Sequence, residues 1–172
     1  MKIKEADTAF TIESGKEFHF SGDALAELLQ ATLATGTSFR FKVKGFSMTP
    51  FIRDNDVVTV SPLLNPLKSF GKMAAFINPE TEKLVIHRIV GRDRAGYILK
   101  GDNCPQADGV VLQERILGYV TKMERNNRKS NLGLGPERYV IAVISRRTMI
   151  FPFLLYIWKC LRFAKVKGGI YA

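Results

Sequence analysis

The sequence predicts a mainly β domain of the α+β class. Many short segments alternate apolar and polar residues or form brief apolar runs, and turns rich in glycine and proline separate them. Only one clear amphipathic helix precedes these segments. At 172 residues with 46% apolar composition, the chain is long enough for one domain with a substantial core.

The helix is predicted near the start of the chain. Ser21 precedes the segment 23–31, in which apolar residues recur at spacings of three and four and an acidic residue occupies the first turn. A helix with a serine cap that ends near Gly36 follows from this pattern. Because residues 1–20 are predicted to be only partly extended, 1–37 forms an N-terminal segment with one helix.

The strands are predicted to follow directly. Residues 38–44 alternate apolar and basic side chains, which is typical of a half-buried strand. Further strands are predicted at 57–61, 73–77, 84–90, 96–100 and 116–123. The strand-rich domain therefore covers 38–124, and the polar stretch 125–136, which ends in glycines and a proline, is predicted to be a linker.

The remaining residues, 137–172, form a basic and apolar tail that is predicted to be helical. The chain carries a net charge of +10, and its last 28 residues contain six basic and no acidic side chains among large apolar ones such as Trp158. This mixture favours an anionic membrane surface over nucleic acid as a partner. The longest uncharged run, 148–158, is shorter than the ~20 residues that span a bilayer. The tail is therefore predicted to pack on the domain or lie on a membrane, with a span as the minority alternative.

The sequence predicts no metal and no cofactor. Its two cysteines, Cys104 and Cys160, form neither a disulfide framework nor a grouped metal-binding motif, and Cys104 is predicted to be a buried thiol. No secretory signal is visible at the first residues. A membrane-associated location is predicted, with the side of the membrane left open.

The candidate catalytic residues lie in three segments. A predicted strand runs into the turn from Gly45 to Pro50, which can hold the Ser47 hydroxyl at the rim of a sheet. A serine needs a base, and His87 stands in the middle of a later predicted strand. Asp102 and Asp108 then supply carboxylates that could orient the imidazole.

These segments together resemble the type I signal peptidase family, over roughly residues 38 to 122. The resemblance is to the branch of the family that uses a Ser/His pair. Its motifs are the Ser-Met-x-Pro box at Gly45 to Pro50, a Gly-Asp-x-Val-like turn at 52–58, the His-Arg segment at 87–90, the Lys-Gly-Asp-Asn box at 100–103, and the second aspartate, Asp108.

The resemblance implies a β-ribbon peptidase fold shared with LexA-like proteins, and a role for each matched residue. Ser47 would be the nucleophile, and His87 would replace the lysine base of the other bacterial branch. Asp108 is preferred as third member of the triad, whereas Asp102 would brace the loop or share that role. Gly45, Met48 and Pro50 would position the serine, whose own amide would stabilise the oxyanion.

The implied activity is that of a serine endopeptidase that cleaves a leader or signal-like peptide, with a peptide or protein as its partner. Two alternatives remain open. Phe46 separates Gly45 from Ser47 as in LexA-like self-cleaving regulatory proteins, and an incomplete triad would leave an inert peptide-binding module. Lys83 or Lys100 could replace His87 as base. The sequence leaves the oligomeric state open.

Overall fold

One antiparallel sheet of ten strands is the main element of the described part of the protein. The computed structural model describes residues 10–13, 17–63 and 69–147. The strands are β1 (Phe10–Glu13), β2 (Glu17–Phe20), β3 (Phe39–Lys42), β4 (Val57–Ser61), β5 (Met73–Ile77), β6 (Leu84–Arg92), β7 (Tyr97–Lys100), β8 (Val110–Val111), β9 (Ile116–Arg125) and β10 (Arg128–Lys129). Their spatial order is β2-β1-β3-β4-β9-β5-β6-β7-β8, with β10 paired to β9. The sheet curls into a half-barrel, and the predicted mainly β class is confirmed.

The predicted N-terminal helix is confirmed as α1 (Gly22–Ala34). It begins at Ser21, whose side chain accepts a hydrogen bond from the Ala24 N–H at 3.4 Å. It ends before Gly36, which has a φ of +79° that favours glycine. One face of the helix packs on the sheet through three buried leucines, Leu25, Leu29 and Leu33.

A second helix, α2 (Arg138–Arg146), packs against β6 at the start of the predicted tail. Ile141 and Ala142 are buried in that contact, whereas Val140 and Val143 are exposed. No helix within 10–13, 17–63 and 69–147 is long and apolar enough to cross a bilayer. The rest of the predicted tail lies outside the described residues.

The segment predicted as a linker, 125–136, contributes in part to the sheet. Arg125 pairs with Arg128 across a two-residue turn, which joins β9 to β10. Both turn residues, Asn126 and Asn127, have positive φ, at 51° and 59°. Asparagine tolerates this conformation, and two such residues in succession form the tight turn that suits the twist of a hairpin.

The sheet has a buried core on both faces, and β6 divides its side chains between them. His87 lies opposite Ala74, and its ring packs 6.0 Å from that of Phe76 in one core cluster. Arg88 lies opposite Met73 in the other cluster. Because successive residues of a strand point to opposite faces, these two neighbours lie in different environments.

Candidate active site

The turn that carries Ser47 begins three residues after β3 and lies at the rim of the sheet. Gly45 has a φ of +111°, which favours glycine, and its N–H donates to Asp54 Oδ1 at 2.9 Å. Ser47 is partly exposed, whereas Met48 is buried. Pro50 follows a cis peptide bond. The predicted positioning residues therefore all lie in a turn that leaves the serine accessible.

His87 and Asp108 are in direct contact. Nδ1 of the imidazole lies 2.6 Å from Asp108 Oδ2, and the imidazole is almost fully buried, at 6% exposure. The other oxygen of Asp108 accepts a hydrogen bond from Asn78 Nδ2 at 3.2 Å, and the backbone N–H of Asp108 donates to the Leu99 carbonyl. Asn78 and the backbone hydrogen bond thus fix Asp108, whose carboxylate in turn fixes the orientation of the imidazole.

Asp102 has a different partner from Asp108. Its carboxylate accepts hydrogen bonds from two side-chain nitrogens of Arg88, at 2.7 to 3.1 Å, and both side chains are fully buried. The Ser145 hydroxyl donates to the same carboxylate at 2.9 Å. Arg88 also donates to the carbonyls of Gly71 and Gly133. The structure therefore brings Asp108 to His87 and ties Asp102 to the packing of α2.

The loop after β7 holds the serine turn against the histidine. The Asn103 N–H donates to the Ser47 carbonyl at 2.7 Å, and its side-chain amide donates to the Phe46 carbonyl at 3.2 Å. A Cβ on Gly101 would lie 2.8 Å from the Ser47 carbonyl oxygen and 3.0 Å from His87 Nε2. The Ser47 carbonyl oxygen and His87 Nε2 are therefore separated by at most the sum of these two distances. A side chain at residue 101 would collide with both atoms, so only glycine fits between them.

The free nitrogen of the imidazole makes no hydrogen bond. Nε2 of His87 is buried and has no hydrogen-bond partner among the described residues, so the Ser47 hydroxyl is not bonded to it. Hydrogen bonds of this kind are often loose before substrate binds. Burial acts to lower the pKa of His87, but its hydrogen bond to Asp108 and its interaction with Cys104 outweigh that effect and raise the pKa to about 9.

A cleft of about 220 Å³ runs from Ser47 along the first half of β6. One wall is the chain on either side of the serine turn, and the other is the β5–β6 hairpin. Its apolar lining consists of Phe41, Val43, Met48, Ile52, Leu84, Val85 and Ile86. The cleft is therefore narrow, mostly apolar and open beside the serine, which suits an extended chain with apolar side chains.

The two lysines considered as bases occupy different places. The Lys100 ammonium donates to the Ser145 carbonyl, on the side of α2, and burial lowers the pKa of Lys100. Lys83 is exposed and lines the cleft. The described ranges contain no group of three or more His, Cys, Asp or Glu residues that could hold a metal ion.

Four residues of the site were not singled out as site residues by the sequence. Asn78 fixes Asp108, and Asn103 fixes the Ser47 turn. Gly101 allows the backbone of Ser47 to lie close to His87, and Cys104 lies beside the imidazole. Cys104 is also partly exposed, which corrects the predicted buried thiol. Three of the four lie in or directly after the Lys-Gly-Asp-Asn box, so that motif was the available indication.

Comparison of the chain with protein-family models, with curated proteins and with solved structures finds no match. The resemblance to signal peptidases therefore depends on the short motifs of the sequence. The geometry described above is the independent basis on which a function can be argued.

Proposed function

We propose that the protein is a serine endopeptidase of the signal peptidase type, with Ser47 as nucleophile, His87 as base and Asp108 as the orienting acid. The observation that carries the proposal is the contact of Asp108 with Nδ1 of a buried imidazole whose Nε2 lies beside the Ser47 turn. In support of the proposal, His87 and Asp108 are in direct contact and the backbone carbonyl of Ser47 lies on the side of the imidazole where Nε2 is. The coarse fold agrees with the β-ribbon peptidase fold that the motifs imply.

In the proposed reaction, Ser47 Oγ attacks a peptide carbonyl and its proton passes to His87 Nε2. The imidazolium then protonates the leaving amine, and an ester of Ser47 remains. Water attacks the ester with the same imidazole as base, which regenerates the hydroxyl. Asp108 stabilises the imidazolium, and the Ser47 N–H is the proposed donor to the oxyanion.

The free edge of β6 supports an extended substrate. Asn78 N–H bonds to the Lys83 carbonyl, so the odd-numbered residues of this strand direct their backbone groups to β5. The backbone groups of Leu84 and Ile86 consequently point away from β5, and β7 begins to pair only at Arg88. A peptide could add as a strand along this edge, with its side chains in the cleft.

An exposed aromatic side chain beside the nucleophile supports an apolar substrate or surface. Phe46 precedes Ser47 and is 69% exposed, which is unusual for so large an apolar side chain. The exposed Val140 and Val143 of α2 lead towards the predicted membrane-binding tail. We propose that the protein cleaves a leader-like peptide at a membrane surface. The proposal does not specify the side of the membrane.

A binding module without hydrolytic activity is the second candidate. The unbonded Nε2 favours it, because a base that is not in contact with its serine is not yet assembled. So does a histidine pKa of about 9, which keeps most of the imidazole protonated at neutral pH. A LexA-like self-cleaving regulator is a further alternative, which cleavage of the chain itself on incubation would favour.

Labelling with a fluorophosphonate distinguishes a hydrolase from a binding module. The full chain is treated with the probe at pH 7 to 10, and the modified residue is identified by mass spectrometry. We expect one adduct on Ser47, absent from Ser47→Ala and retained in Ser38→Ala, a matched change of an exposed serine. Equal labelling of both variants, or no labelling at any pH, would overturn the assignment.

A further inference from the structure

Cys104 lies at the free nitrogen of the proposed base. A Cβ on Gly101 would be 2.6 Å from the Cys104 sulfur and 3.0 Å from His87 Nε2. The Cys104 sulfur and His87 Nε2 are therefore both close to one point, and the distance between them is at most the sum of these two values. The thiol belongs to a loop that is partly exposed, so small reagents can reach it.

The imidazole provides a second, independent observation at this position. His87 is more than nine-tenths buried, its Nδ1 is occupied by Asp108, and its Nε2 has no hydrogen-bond partner among the described residues. A buried polar atom without a hydrogen-bond partner is energetically unfavourable. When it carries a proton, such an atom beside a thiol can donate a charge-assisted hydrogen bond that stabilises the thiolate, as in other Cys–His pairs.

We propose that Cys104 is a peroxide-sensitive modification site, activated by His87, whose oxidation blocks the neighbouring hydrolytic centre. The blocking effect rests on the proposed peptidase function. The sensitivity of the thiol does not, because it requires only the thiol and the imidazole.

The oxidation is a two-electron step. The Cys104 thiol loses its proton to water, and the thiolate, held beside the His87 imidazolium, attacks one oxygen of hydrogen peroxide. The O–O bond breaks, an S–O bond forms, and the leaving hydroxide takes a proton from the imidazolium to become water, after which the imidazole regains its proton from the solvent. Sulfur is oxidised to the sulfenic acid, peroxide is reduced, and two thiols of dithiothreitol restore Cys104 with release of water.

The added oxygen would occupy the space that the reaction needs. The Ser47 carbonyl, His87 Nε2 and the Cys104 sulfur all lie within 3.0 Å of one point. A sulfenic acid at this point could hydrogen-bond Nε2 in place of the serine hydroxyl. The base would then be unable to take the serine proton, and hydrolysis would stop until the thiol is restored.

Alkylation tests the activation of the thiol without any assay of hydrolysis. The full chain carrying Cys160→Ser, which leaves Cys104 as its single cysteine, is treated with iodoacetamide at pH 6 to 7 and followed by intact mass. We expect His87→Gln to slow alkylation roughly tenfold, since no imidazolium then stabilises the reactive thiolate. Ser38→Ala, a change of an exposed serine outside the site, is the control and should react at the original rate.

One outcome of this comparison overturns the activation, and a second variant covers the case in which the first does not fold. Equal alkylation rates with and without His87 would show that the imidazole does not activate the thiol. If His87→Gln does not fold, as judged by circular dichroism, Asp108→Asn serves as the second variant. It removes the partner that supports the imidazolium and is expected to slow alkylation in the same direction.

Treatment with hydrogen peroxide tests the modification and its consequence together. We expect a dimedone adduct on Cys104 and a parallel loss of fluorophosphonate labelling at Ser47, restored by dithiothreitol. Cys104→Ala should keep its labelling under peroxide, and loss of labelling in that variant would overturn the blocking effect. A dimedone adduct in a protein that never labels at Ser47 would support the modification site and refute the peptidase, whereas absence of the adduct refutes the site.

Discussion

Two successive residues of β6 each hold a carboxylate, but in opposite ways. Arg88 and Asp102 are both fully buried, and the guanidinium also donates to two backbone carbonyls. His87 and Asp108 form a slightly more exposed pair, in which one imidazole nitrogen has no hydrogen bond within the described part of the chain. In the Arg88–Asp102 pair most of the polar atoms are already hydrogen-bonded, whereas in the His87–Asp108 pair Nε2 of the imidazole can still accept or donate a hydrogen bond.

This difference separates a structural pair from a chemical one. A saturated buried ion pair has no atom available for a reacting group, and it connects β6, the loop after β7 and α2 into one packed unit. The open pair depends on that unit, because the same loop carries Asp102 and also Asn103, which binds the Ser47 turn. The structural pair therefore positions the residues around the chemical one.

The largest effect is expected for Asp108→Asn. Without the carboxylate the imidazole loses its orientation and the stabilisation of its charged form, and labelling of Ser47 should fall by about 10⁴-fold. The protein should remain folded, since Asp108 lies at the rim. The rate of fluorophosphonate labelling, measured beside a urea unfolding curve, checks both parts. A variant that labels as fast as the wild type would remove Asp108 from the site.

Asp102→Asn should act mainly on stability. It leaves the buried charge of Arg88 without its counter-charge, and breaking such a pair costs about 3–5 kcal/mol in the free energy of unfolding. Urea unfolding of this variant, with the exposed Asp93→Asn as control, measures the effect. A stability equal to that of the control would contradict the structural role of the Arg88–Asp102 pair.

The His87–Asp108 pair predicts opposite pH dependences of stability and reactivity. The folded state binds the imidazole proton more tightly than the unfolded state, whose histidine has a pKa near 6.5. The pair therefore contributes its full stabilisation below pH 6.5 and loses it as the pH rises through about 9, on the order of 3 kcal/mol in total. Labelling of Ser47 should increase over the same range, because only the neutral imidazole acts as a base.

Unfolding curves and labelling rates between pH 6 and 10 check this prediction. In His87→Gln both the loss of stability and the rise in labelling should be absent or much reduced. Stability that rises through this range in the wild type, or a labelling rate that is highest below pH 7, would contradict the assignment of the base.

Gly101→Ala should produce the smallest of these effects. A Cβ at this position would lie under 3.0 Å from the Cys104 sulfur and from the Ser47 carbonyl, so the serine turn must move away from the imidazole. A displacement of about 1 Å can lower a rate by about 10²-fold. Gly22→Ala, where nothing lies within 4 Å of the new Cβ, is the matched control for the labelling assay. Equal rates in the two variants would show that the serine does not depend on this approach.

Local patterns were sufficient to predict the central elements of the fold. The bounds of β4 and β5 agree with the prediction because each is a short apolar or alternating run between turn residues. The helix α1 was predicted from its serine cap and leucine spacing. The hairpin of β9 and β10 was missed, because its polar composition resembles a linker and its turn is Asn-Asn rather than Asn-Gly.

Only those site residues that belong to a recognised motif could be predicted from the sequence. Ser47, His87 and Asp108 were named from short boxes, whose order along the chain indicates a shared site. Asn103 lies within one of these boxes, but its contact with Phe46, 57 residues away, could not be inferred, and Asn78, which meets Asp108 across 30 residues, lies in none of them. Such contacts depend on the curl of the whole sheet, and no local pattern encodes them.

Cleavage of peptides tests the central claim most directly. A mixed peptide library is incubated with the wild type and with Ser47→Ala in parallel at pH 7 to 10, and new termini are identified by mass spectrometry. The account predicts new termini in the wild type alone, most abundant at the upper end of this range. Identical products from both proteins, or no product from either at any pH, would contradict it.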